Sequence, residues 1–66
     1  MLISLDNLAQ KQIVVSILLL SERLSGTANQ QMAIDLAHEF ANGLTESEFR
    51  NCRTAANDAY QCVIRV

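Results

Sequence analysis

Ile13-Val14-Val15-Ser16-Ile17-Leu18-Leu19-Leu20 is the stretch on which the fold turns, because Ser16 alone interrupts a run of branched aliphatic residues. Wound as a helix, Ile13, Ile17, Leu20 and Leu24 form one stripe at 4-3-4 spacing. Val14 and Leu18 flank that stripe, and Val15 and Leu19 fall nearly opposite it. A helix that is apolar on almost every side is a buried helix. Ile and Val also favour strands, but no second segment of the chain offers a strand to pair with this one. Helix is therefore the reading. A chain of 66 residues buries only ~60% of its unfolded surface. Two other short helices cannot cover all sides of this one. The excess predicts a partner, and the simplest partner is a second copy of the same chain.

Outward from that run, Ser4-Leu5-Asp6-Asn7 offers capping residues and Ser25-Gly26 offers a stop. The first helix is expected over about 5–24. A second helix is expected over about 28–42, opened by a Thr27–Gln30 capping box and closed by Asn42-Gly43. Met32, Ala33, Leu36, Ala37, Phe40, Ala41 and Leu44 make its apolar stripe. Ala33, Ala37 and Ala41 recur every four residues, so a neighbouring helix can approach closely there. Gln31, Asp35, His38, Glu39 and Asn42 make the polar face. The third helix, about 46–64, has the clearest start. Thr45 and Glu48 fit a capping box, and Leu44 and Phe49 fit a hydrophobic staple around it. Glu46 and Glu48 suit the positive end of the helix dipole. Phe49, Cys52, Ala56, Ala59, Tyr60 and Val63 make the third apolar stripe.

The chain has no proline and two glycines, which suits uninterrupted helices. Short connections set consecutive helices side by side and antiparallel. The expected fold is all-α, one small domain in an up-down three-helix arrangement. The expected assembly is an intertwined or face-to-face homodimer.

Composition narrows the function. The formal net charge is −2 and the five basic residues are scattered, unlike the clustered Lys and Arg of a nucleic-acid footprint. The apolar run is shorter than the ~20 residues that cross a bilayer, and Lys11 and Glu22 bracket it. It carries neither a basic leader nor an A-x-A site, so it fits a signal peptide poorly. A cytoplasmic protein without nucleic-acid or membrane partners is expected. Cys52 and Cys62 would lie about 15 Å apart on one helix, beyond the ~7 Å reach of a disulfide. They are expected to be small buried hydrophobes.

Three constellations bear on chemistry. Phe40-Ala41-Asn42-Gly43-Leu44-Thr45-Glu46-Ser47-Glu48-Phe49 is similar to the first half of some helix-turn-helix DNA-binding domains. No turn follows Phe49 to set off a recognition helix, however, and the charge is wrong for DNA. The same residues are what a capped helix-helix turn requires. His38 is the single histidine, with Asp35, Glu39 and Asn42 near it. One His and carboxylates on one helix fall short of a structural zinc site, and a solvated His is expected. Ser16 and Ser21 have no evident base, and Cys52 with His38 lacks an oxyanion site. No catalytic residue, cofactor or metal is expected.

Ala33-Ile34-Asp35-Leu36-Ala37-His38-Glu39-Phe40-Ala41-Asn42-Gly43-Leu44-Thr45, Glu48, and Arg53-Thr54-Ala55-Ala56-Asn57-Asp58-Ala59 resemble an Ala-rich helical segment. That segment accompanies repeat regions in large bacterial proteins, notably of planctomycetes. The resemblance covers under half of the chain. It implies two antiparallel helices and no activity.

The leading expectation is a small non-catalytic interaction or regulatory protein. Adaptors and inhibitors, including those of mobile elements and viruses, are of this kind. Self-association is assigned to Ile13, Val14, Ile17, Leu18, Leu19, Leu20 and Leu24. An unidentified protein partner is assigned to Asp35, His38, Glu39, Asn42, Glu46 and Arg50. The alternatives are a helix-turn-helix-like DNA-binding regulator and a ligand-binding or enzymatic dimer with its site at the subunit boundary.

Overall fold

The computed structural model describes residues 6–64, with side chains through residue 62. Three helices account for it: α1 (Asn7–Arg23), α2 (Asn29–Phe40) and α3 (Glu46–Ile64). There is no strand among the described residues.

The caps explain where the helices begin and end. Asp6 is extended, and its Oδ1 accepts from the Ala9 N–H at 2.7 Å, so α1 starts at Asn7 rather than at 5. Ser4 and Leu5 lie outside the described residues. Gly26 takes φ +83° after α1 and Gly43 takes φ +95° after α2, the left-handed region that glycine enters without steric cost.

The second helix runs Asn29–Phe40, so it begins at one of the two starts the sequence offered, Thr27 or Asn29, and ends two residues before Asn42; no side chain caps it. Ala28 at the cap position already has right-handed helical angles, and the Thr27 hydroxyl turns backward to donate to the Leu24 carbonyl at 2.6 Å. The Thr27–Gln30 capping box therefore does not form.

The third start is as expected. The Glu48 N–H donates to Thr45 Oγ1 at 3.1 Å, and the Thr45 N–H donates to Glu48 Oε1 at 2.9 Å. Leu44 and Phe49 pack half-buried against the core on either side of this box.

Side-chain pairings fix the helix directions. Gln10 near the start of α1 donates through Nε2 to the carbonyls of Phe40 and Asn42, at 2.9 and 2.7 Å. Leu20 and Leu24 at its other end share a groove with Met32 and Leu36. So α2 runs antiparallel to α1. Asn7 and Lys11 meet Glu48 at the start of α3, and Leu18 and Ser21 lie near Ala56. So α3 runs parallel to α1.

Helix α1 is the shared centre: α2 and α3 each pack along it. Its breadth of apolar surface follows from serving two neighbours. Where α2 and α3 approach each other, the His38 ring stacks on Phe49 at 4.6 Å between centroids, inclined 30°. The core comprises Val14, Leu18, Ala37, Ala41, Cys52 and Ala56. Ser21 is also buried, and its hydroxyl donates to the Leu18 carbonyl at 2.6 Å.

The apolar stripe of α2 divides in two. Its alanines, Ala33, Ala37 and Ala41, are buried, whereas Met32, Leu36 and Phe40 are 69%, 47% and 42% exposed. Helix separation is set by the side chains at the contact line. Alanines there draw α2 close to α1 and leave no gap for longer side chains on the same arc, so these emerge at the edge. The cysteines divide likewise: Cys52 is buried, but Cys62 is exposed near the end of α3. Val63, expected on the same stripe, has its side chain outside the described residues.

Candidate functional site

Two surfaces carry enough structure to be sites. The first is an apolar strip along the α1–α2 edge. Leu20 (49% exposed) from α1 and half-buried Leu24 just after it lie beside Met32 and Leu36 from α2, and Phe40 continues the strip by one turn. Leu20, Leu24, Asn29, Met32, Ala33 and Leu36 line an open groove of about 380 Å³.

The residues assigned to self-association from sequence divide between the inside and the outside of one copy. Val14 and Leu18 lie in the chain's own core. Ile17 and Leu19 are half-buried against that core, and Ile13 is half-buried as well. Leu20 and Leu24 reach the groove. Sequence reasoning missed Met32, Leu36 and Phe40 as surface. The signal was present in their spacing of four beside an arc of alanines also spaced by four. A single neighbour cannot cover both arcs.

The second surface lies where α2 and α3 converge. The His38–Phe49 stack, with Arg53, separates two hollows. The smaller, about 70 Å³, is floored by Leu18, Ser21 and Glu22 of α1. The larger, about 480 Å³ and open, is bounded by Ala41, Leu44, Thr45 and Glu46. Of the residues assigned to a partner, the fold brings His38 and Glu46 together on this second hollow. Asp35 and Glu39 are exposed on α2, Asn42 in the turn that follows it and Arg50 on α3, and none of the four lines either hollow. The Asp35 carboxylate accepts from Gln31 Nε2 at 2.9 Å. Arg53 and Phe49 complete the junction.

Two described groups, Glu48 and Cys52, have shifted pKa values. The Thr45 backbone N–H, then the Asn7 amide and the Lys11 ammonium, lower the Glu48 pKa to about 2. Lys11 Nζ stands 3.3 Å from Glu48 Oε2, so this carboxylate clasps the starts of α1 and α3 together. Burial pushes the Cys52 thiol pKa up, the reverse of an activated nucleophile. Among the described residues, no group of three or more His, Cys, Asp or Glu is placed to hold a metal ion. No described helix is long and apolar enough to cross a membrane. Helix α3 runs unbroken from Glu46 to Ile64, so no separate recognition helix follows the Asn42–Thr45 turn.

No protein family model matches the chain, and no curated protein or solved structure matches it.

Proposed function

We propose that this is a small non-catalytic interaction protein that self-associates through the α1–α2 edge and presents the His38–Phe49 junction to a second protein. The observation that carries the reading is the contiguous strip of Leu20, Leu24, Met32, Leu36 and Phe40. A fully exposed large side chain offers about 200 Å². At their fractional exposures Leu20, Met32, Leu36 and Phe40 then present about 400 Å². Homodimer interfaces are about 65% apolar. The strip therefore corresponds to roughly 600 Å² per copy and 1,200 Å² in all, the lower bound for a specific complex. An interface at this lower bound fits a dimer that dissociates on dilution, although area alone sets no dissociation constant.

Light scattering after size exclusion tests this across roughly 1 to 100 µM. A mass that rises from one copy to two, in reductant as well as without it, supports the reading. A dimer present only without reductant transfers the contact to the exposed Cys62. A monomer at every concentration refutes self-association.

A further inference from the structure

We infer that in this dimer each copy lays its α1 on the partner's α2, about a two-fold axis running along the helices, with Arg23 facing Asp35 of the second copy. The inference rests on the self-association reading and specifies its geometry.

A face made of two antiparallel helices can meet its own copy face to face in two symmetric ways. A two-fold axis along the helices sets α1 on the other copy's α2. An axis across them sets α1 on α1 and α2 on α2. Both bury the same apolar strip, so burial does not choose between them.

The charges beside the strip do choose. On α2, Asp35 and Glu39 follow Met32 at three and seven residues, so they border its outer edge, and both are exposed. Helix α2 carries no Lys or Arg. On α1, Ser16 and Arg23 lie four before and three after Leu20, and both are exposed. Arg23 is the only charged residue on that border.

Stacking α2 on α2 would gather four carboxylates, two from each copy, with no cation among them. Like charges placed together across an interface are strongly disfavoured. Stacking α1 on α2 puts Arg23 beside acid twice, once on each side of the axis. The levels agree. The end of α1 lies beside the start of α2, and an axis along the helices preserves height. Arg23 therefore meets the first two turns of the second copy's α2, which contain Asp35. Glu39 meets the uncharged border at Ser16, whose hydroxyl already donates to the Gln12 carbonyl at 2.9 Å.

The test is a charge-reversal cycle read by sedimentation velocity, using exposed positions that leave the fold intact. Arg23→Glu and Asp35→Arg should each raise the dissociation constant roughly threefold to thirtyfold, because each pair occurs twice. The double variant should recover the wild-type value. In the crossed arrangement Asp35→Arg would instead tighten the dimer and Arg23→Glu would leave it unchanged, and either result overturns the proposal. A wild-type protein that stays monomeric defeats self-association itself. A dimer with the wrong charge response defeats only this geometry.

Discussion

Leu36→Ala should dissociate the assembly and spare the fold, whereas Leu18→Ala should do the reverse. Leu36 is 47% exposed in one copy. That leaves about 90 Å² for an interface to cover, on the 200 Å² scale used above. Two-fold symmetry doubles it to about 180 Å², worth about 4.5 kcal/mol at 25 cal/mol per Å². Alanine keeps the Cβ, so the loss is about 3 kcal/mol per dimer, or about a hundredfold in dissociation constant. Leu18 is 5% exposed and lies among Val14, Ala37 and Ala56. Truncating a leucine in such a place costs about 2–5 kcal/mol, out of the roughly 3–10 kcal/mol that a chain this size has. A dilution series by sedimentation velocity measures the first effect. Urea unfolding at a concentration low enough to keep the wild type monomeric measures the second. The reasoning fails if Leu36→Ala leaves the dissociation constant within about threefold. It also fails if that variant destabilises the monomer as much as Leu18→Ala.

The remaining predictions concern the fold and its thiols. The Glu48 pKa is lowered from 4.5 to about 2 on folding. Its stabilising effect is complete above the unfolded value and drains away as pH falls toward the folded one. The melting temperature should drop between about pH 5 and 2, and Glu48→Gln should both lower it at neutral pH and flatten that decline; an unchanged slope would remove Glu48 as the cause. Thr45→Ala should cost about 1 kcal/mol in urea unfolding, because it removes a true cap. Thr27→Ala should stay within about 0.5 kcal/mol, since the Leu24 carbonyl that its hydroxyl reaches also accepts from the Thr27 N–H at 3.0 Å. Alkylation followed by mass spectrometry should label exposed Cys62 well before buried Cys52; equal rates would mean that the α1–α3 contact opens easily.

How far the sequence could be read follows from where its signals were local. The start of α3 was legible because Thr45, Glu48, Leu44 and Phe49 satisfy one another within a few residues. The ends of α1 were legible to within two residues from Asp6 and Gly26. The Thr27–Gln30 pattern has the same grammar, yet Ala28 is already helical, so the Thr27 hydroxyl was free to bond backward. Nothing at Thr27 itself distinguishes the two outcomes. The division of apolar residues was less legible, because periodicity gives a face but not its neighbour. Val14 and Leu18 point at α2 and α3 together. Leu20 and Leu24 point past α2 to its outer edge. Both sets lie within one apolar helix, and only the placement of α1 between its neighbours separates them. For the same reason Leu18→Asp would unfold a single copy and would report nothing about its assembly. At the second surface, His38 and Glu46 come together because the tight Gly43 turn brings the end of α2 back toward the start of α3. Arg50 is carried out of that junction, while Arg53, one turn further along, is carried into it.

The alanines connect the fold to the proposed assembly. Among the described residues, those buried in one copy include four alanines and a cysteine, and Val14 and Leu18 are the only larger aliphatic side chains. Small side chains allow α1 and α2 to approach closely but remove little apolar surface from water, at about 0.8 kcal/mol per buried CH₂. The larger side chains that would supply the missing burial are present in the sequence. Met32, Leu36 and Phe40 lie on the arc beside the alanines, at the edge that α1 does not cover. The alanine spacing thus moves a share of the hydrophobic stabilisation from the interior to the surface, where only another molecule can realise it. The strip lies flanked by acid on one border and by Arg23 on the other, and in the proposed dimer a second copy turned about the strip's long axis would supply both the apolar cover and the opposite charge at Arg23 and Asp35.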